Sequence, residues 1–302
     1  MTATRVAWYN GETMPEADVR IPFRDLGFIY GDSVYDTART FNGIPHLVDD
    51  HVDRLFASLK YVMIDVPYDR QTIVDVTKEI AEKNKALLGP DMDYWVCQRV
   101  SSGVQTIEGE APLQSGPTFI IECKPIPFKA RAPMFRDGID AVISSQRRFA
   151  PDALSPNAKT SNYLNMLIGA REVAAIAPHA WAVLLDHKGY VCEGAGCNIF
   201  FVRDGRVVTP PRESVLPGVS RRLVIELCVD VGVECAEEPI TLFDAATADE
   251  AFFSATSLCM CPLRSFNGRQ FELSPGPITA RLMDAYKQRV GFDFVAQFLA
   301  HL

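Results

Sequence analysis

Apolar positions recur along the chain with two different periods, and the changes between them mark out the elements. Val6-Ala7-Trp8-Tyr9 reads as a strand entering Asn10-Gly11, a pair that supplies the positive φ angles of a tight hairpin. Asp49-Asp50 precede Val52, Leu55, Phe56 and Leu59, the three-and-four spacing of a helix behind a capping carboxylate, which puts Arg54 beside the buried stripe. A second helix is predicted over 72–88, stopped by Gly89-Pro90. Strands at 94–100 and 118–123 complete an α+β unit.

The stretch 124–133 carries Pro125, Pro127 and Pro133 and shows no period, so it continues neither a helix nor a central strand comfortably. An interdomain linker is therefore expected at 124–134, between a small α+β domain over 1–123 and a large domain over 135–302. The larger part opens with a strand at 141–144, a helix carrying Leu164, Leu167 and Ile168 on one face, and a strand at 182–185. Asp186-His187-Lys188-Gly189 turns the chain back into Tyr190-Val191-Cys192, and Asp204-Gly205 joins strands at 198–203 and 206–209. Leu223, Val224 and Leu227 give a helix over 220–230 its buried face.

With 302 residues, 48% hydrophobic and 23% charged, the chain has enough apolar surface for two domains. Its 30 basic and 38 acidic residues leave a formal charge of −8, which opposes the phosphate contacts that nucleic-acid binding depends on. No apolar run approaches the roughly 20 residues that span a bilayer. Residues 1–10 lack the basic flank and apolar stretch of a leader. A soluble cytoplasmic protein without nucleic-acid or membrane partners is expected. The eight cysteines are scattered and read as reduced core residues. The one close pair, Cys259-Met260-Cys261, lacks histidine partners and makes a poor metal site.

Two segments carry most of the candidate chemistry: Asn157-Ala158-Lys159-Thr160-Ser161-Asn162-Tyr163-Leu164-Asn165 and Glu193-Gly194-Ala195-Gly196-Cys197-Asn198-Ile199-Phe200. Taken alone, Lys159 is a lysine in a polar loop and Glu193 a carboxylate closing a strand before a glycine turn. Three further segments follow the same order: His51-Val52-Asp53-Arg54-Leu55, Val215-Leu216-Pro217-Gly218-Val219-Ser220-Arg221 and Phe253-Ser254-Ala255-Thr256-Ser257. Together the five resemble the class IV aminotransferases, pyridoxal-phosphate enzymes of fold type IV. The resemblance spans most of the chain, and five ordered segments are more specific than one glycine motif.

It implies a two-domain α+β / α/β fold of the D-amino-acid aminotransferase kind, with pyridoxal 5'-phosphate held mainly by the large domain. Lys159 is then the Schiff-base lysine and the proton shuttle, a role that suits an amine whose pKa responds to its surroundings. Glu193 becomes the partner of the ring nitrogen, whose proton the electron-sink chemistry requires. Tyr163, one turn beyond Lys159 if the helix has begun, bonds the phenolate oxygen; Leu216 packs on the ring and Asn198 joins the cofactor set. Val219 and Ser220, opening a helix, offer amides to the phosphate. Arg54 and Thr256 join them, although Arg54 also reads as an ion-pair partner of Asp50 or Asp53.

For the substrate, the resemblance points to Tyr30, Tyr35, Arg39, Arg99, Ser257 and Leu258. The fit to the branched-chain subgroup is partial. Its Phe-Glu-Gly-x-Arg pattern meets Tyr35-Asp36-Thr37-Ala38-Arg39, and its Tyr-x-Arg meets Cys97-Gln98-Arg99. Ser101 stands where D-amino-acid aminotransferases show histidine. Arg39 and Arg99 are candidate carboxylate clamps, or else pair with acids such as Asp32 or Asp36. The leading expectation is amino transfer between a branched-chain or hydrophobic L-amino acid and 2-oxoglutarate. A D-amino-acid or (R)-amine transaminase and an aminodeoxychorismate lyase are the alternatives. The resemblance also implies a homodimer or higher homo-oligomer.

Overall fold

The computed structural model describes residues 4–302, so the first three positions of the stretch read for a leader lie outside the described residues. The chain forms two compact units, one taking in the chain up to Ile126 together with Ala158–Asn162, the other Pro127–Asn157 and Tyr163–Leu302.

In the first unit, β1 (Val6–Tyr9) and β2 (Glu12–Pro15) form the expected hairpin, with Asn10 and Gly11 at φ 46° and 103°. A short helix α1 (Leu26–Tyr30) leads into β3 (Ser33–Phe41) and β4 (Ile44–Pro45). Helices α2 (Val48–Val62) and α3 (Arg70–Lys85) follow, then β5 (Tyr94–Ser101) and β6 (Thr118–Pro125). The sheet order is β2-β1-β6-β5-β3-β4. One face, with Val34, Val96, Val100, Phe119 and Ile121, packs against Val52, Leu55 and Leu59 of α2 and Ile73 and Ile80 of α3. Each such aliphatic side chain contributes about 1.5–3 kcal/mol when fully buried. The opposite face carries Tyr35, Thr37 and Arg39, whose cross-strand partners are Arg99, Cys97 and Trp95.

The second unit begins with α4 (Phe128–Asp137), which lies in the stretch expected to be an irregular linker and contains Pro133. Pro133 forfeits one backbone hydrogen bond. Against that loss, Phe135 stacks on Phe298 of the last helix at a centroid distance of 4.2 Å, and Phe128 packs against it at a tilt at 4.7 Å. Then come β7 (Ile139–Arg147), α5 (Leu164–Ile176), β8 (Trp181–Leu185), β9 (Val191–Gly194), β10 (Cys197–Arg203) and β11 (Arg206–Thr209). After α6 (Val219–Asp230) follow β12 (Cys235–Glu237), α7 (Leu242–Thr247), β13 (Glu250–Ala255), β14 (Cys259–Phe266) and β15 (Arg269–Gln270). Helices α8 (Pro277–Val290) and α9 (Phe294–Leu299) end the chain. The sheet runs β12-β11-β10-β13-β14-β7-β8-β9, and β9 also pairs with β10, which brings the Glu193 strand back beside Asn198.

Two local expectations change. No described side chain caps α2: Leu47 takes the cap position in the left-handed region, and Asp49 and Asp50 sit in the first turn, where they complement the helix dipole. In α5 the buried residues are Met166, Gly169 and Val173, while Leu164, Leu167 and Ile168 are exposed. Gly169 explains the choice, because a Cβ there would stand 2.9 Å from the Ser144 hydroxyl, so the helix rests on β7 along its glycine side. Tyr30, named among the substrate residues, ends the short helix α1 before β3 and is 67% exposed. Among the described residues no helix is long and apolar enough to cross a membrane.

Candidate active site

In the first unit, Lys159 is held by main-chain bonds. Its amide donates to Ser58 Oγ at 3.0 Å, its carbonyl accepts from Tyr35 N at 3.0 Å, and Ser161 N donates to Ser33 O at 2.9 Å. The segment therefore lies along the edge of β3, with Lys159 Nζ 4.6 Å from the Tyr35 ring centroid. An ammonium over an aromatic face is a favourable contact. Lys159 thus precedes α5, and Tyr163 is that helix's N-cap residue, so the two are not spaced by a helical turn.

Below Tyr35 the strand turns Asp36 inward, where it is fully buried. Arg54 forks onto it, Nε to Oδ2 and Nη2 to Oδ1, both 2.8 Å, and His51 Nδ1 lies 2.7 Å from Oδ1. Arg54 is thus partnered by Asp36, and Asp53 binds Arg70. Burial works against ionisation of Asp36, but the Arg54 guanidinium and the His51 hydrogen bond outweigh it and hold the carboxyl far below the usual range. Burial, against the pull of Asp36, lowers the His51 pKa, and because an ionised carboxylate can only accept, the bond between them is donated from Nδ1. Asp36→Asn leaves a buried guanidinium without its counter-charge, and the expected loss of stability is about 3–5 kcal/mol. Because the folded carboxyl is the more acidic one, its stabilisation is complete above the unfolded value of about 3.9 and drains as pH falls below it. Denaturant titration of both proteins from neutral pH to pH 2 should show the variant's deficit shrinking with acid. A deficit below about 1 kcal/mol at pH 7 would mean the pair contributes no more than a surface bridge.

The two candidate carboxylate clamps have partners of their own. Arg39 is 2% exposed, donates from Nε to Thr40 O at 3.1 Å, lies 3.9 Å from Asp93 and stacks on Phe41 at 4.1 Å. A guanidinium enclosed in this way packs the small unit. Arg99 donates to Glu122 Oε1 at 2.8 Å and remains about half exposed.

In the second unit, Glu193 is 3% exposed and accepts from Arg148 Nε at 2.6 Å and from Leu216 N at 3.1 Å. Burial works against the charge of Arg148, but Glu193 more than offsets it and raises that pKa. Leu216 O in turn accepts from Asn198 Nδ2 at 2.9 Å. A Cβ on Gly218 would come within 2.2 Å of Asn198 Oδ1, so only glycine lets the loop enter α6 this closely. Gly218 caps α6 without a side-chain bond, leaving the first-turn amides at Val219 and Ser220 as donors. Thr256, Ser257 and Leu258 form the turn between β13 and β14; Leu258 is fully buried, and Ser257 Oγ accepts from Arg131. Arg148 and Arg131 were not singled out from sequence, and Asp36 was named there only as a partner for Arg39 or Arg99. The Arg147-Arg148 pair closing a strand was the one available hint.

Residues 33–266 match the model of the class IV amino-transferases. A putative branched-chain-amino-acid aminotransferase of Methanocaldococcus jannaschii is 36% identical over 284 residues, covering 93% of this chain and 94% of the relative. The crystal structure of the Escherichia coli branched-chain amino acid aminotransferase superposes with a TM-score of 0.85 at 29% identity, covering 94% of each chain. A branched-chain amino acid aminotransferase of T.th., solved with pyridoxamine 5'-phosphate, gives 0.83 at 25% identity, over 95% of this chain and 94% of that one. Fold and sequence therefore agree: the chain belongs to the class IV aminotransferases of fold type IV, and is a transaminase whose cofactor is pyridoxal 5'-phosphate.

Proposed function

We propose that the protein moves an amino group between a branched-chain or other hydrophobic L-amino acid and 2-oxoglutarate. The observation that carries the substrate class is the 36% identity, over almost the whole of both chains, to a relative named for branched-chain amino acids. Pyridoxal phosphate supplies an electron sink when bound. Lys159 Nζ holds the cofactor and moves the proton at the substrate Cα. Glu193, kept in place by Arg148 and the Leu216 amide, accepts the ring-nitrogen proton, for which a carboxylate has acceptor capacity beyond these two bonds. The donor set suits the group: uncapped amides at Val219 and Ser220, the Thr256 hydroxyl and the Arg54 guanidinium would take the phosphate, Leu216 would pack on the ring, and Tyr163 and Asn198 would orient it.

Tyr35 and Arg99, on the open face of the small sheet, together with Ser257 and Leu258, would meet the substrate, with exposed Tyr30 as a further contact. Exposed apolar side chains, Phe23 and Phe28 in one unit and Leu164 and Ile176 in the other, support a homodimer or higher homo-oligomer. Free thiols suit a reducing, cytoplasmic setting. The test is a donor screen of the holoprotein with L-leucine, L-valine, L-glutamate, D-alanine and (R)-1-phenylethylamine, following the cofactor's visible band. The L-acids should react fastest. Faster reaction with D-alanine or the amine would overturn the proposal.

A further inference from the structure

Arg131 occupies a position in the second unit that neither Arg39 nor Arg99 has in the first. It lies on α4, one turn from both Phe128 and Phe135, and its guanidinium opens into a cavity of about 300 Å³. Ser257 accepts a hydrogen bond from its Nη1, and the Trp181 ring lies beneath it with 5.7 Å between Cζ and the centroid. Trp181 is itself stacked on Phe253 at 5.8 Å, so the arginine is held from two sides. The other walls are small: Ala182, Ala195, Gly196 and Ala255. Among the described lining residues Arg131 is the one that carries charge.

Apolar walls of this kind accept a short methylene chain, and a planar guanidinium at the end grips a carboxylate through two parallel bonds. The volume suits a small metabolite at the lower end of ligand pockets. The cavity also borders the turn that follows Glu193 and the residue beside Thr256, both of which the proposed function assigns to the cofactor. We infer that Arg131 is the specificity residue for the dicarboxylic partner, binding the distal carboxylate of 2-oxoglutarate and glutamate. With a hydrophobic donor the guanidinium stays against Trp181 and Ser257, and the same walls take the apolar side chain. One cavity then serves both half-reactions.

The inference rests on the transaminase reading above, and the experiment separates the two. With L-leucine as donor, KM is measured for 2-oxoglutarate and for its monocarboxylic counterpart 2-oxopentanoate, in wild type and in Arg131→Leu. The ratio of the two KM values should move about ten- to a hundredfold against 2-oxoglutarate, as expected for losing a charged hydrogen-bonded contact. Arg131→Lys, which keeps the charge without the fork, should recover part of the discrimination and also serves if the leucine variant folds poorly. Equal shifts for the two acids, or no shift, overturn the assignment. If wild type takes no amino group from L-leucine, the branched-chain reading fails on its own, and Arg131 is judged by calorimetry with glutarate and pentanoate. A preference for glutarate that disappears in Arg131→Leu supports the assignment; a preference that survives, or is absent in wild type, overturns it.

Discussion

Lys159→Ala should lower turnover by at least about 10⁴, because in the roles proposed for Lys159 the variant would lose both the amine that holds the cofactor and the group that moves the proton at Cα. The fold should not follow the activity down. Its attachment to β3 and to Ser58 runs through main-chain N–H and C=O groups that alanine keeps. What disappears is one half-buried side chain over the Tyr35 ring, a contact of about 0.5–2 kcal/mol. Steady-state rates, denaturant midpoints and borohydride-fixed pyridoxyl labelling test these statements together. A label on the peptide of another lysine, or a variant within a hundredfold of wild type, would remove Lys159 from the chemistry.

Glu193→Gln is the second large effect. A neutral amide cannot hold a proton on the ring nitrogen as a carboxylate does, and electrostatic and acid–base contributions of this kind amount to about 10² to 10⁴ in rate. The substitution also strips Arg148, only 10% exposed, of its counter-charge, so a stability loss of about 3–5 kcal/mol comes with it. The two consequences separate in the double variant Glu193→Gln/Arg148→Met. Removing both charges should restore much of the stability and none of the rate. If the double variant recovers turnover to within a few-fold of wild type, Glu193 acts by anchoring Arg148 and has no part at the ring.

Where the sequence reading succeeded, the cause was short-range. Asn10-Gly11 and Asp204-Gly205 both take the positive φ angles that made them turns on paper, and α6 buries Leu223, Val224 and Leu227 as its spacing required. It failed where two faces competed, as in α5, whose more apolar side points outward because Gly169 allows a closer approach on the other. It failed again at α4, where proline content spoke for a linker but aromatic contacts with the final helix decided for a helix.

By itself, then, the sequence determined which residues are the candidates for the chemistry, since Lys159, Glu193 and the Leu216–Ser220 run each stand within contiguous motifs. Only the tertiary structure decided what holds them. Asp36 meets Arg54 across 18 positions, Arg148 meets Glu193 across 45, and Arg131 meets Ser257 across 126. Periodicity tells on which side of a strand or helix a side chain emerges. The charge or ring waiting there belongs to another element, and packing alone brings the two together.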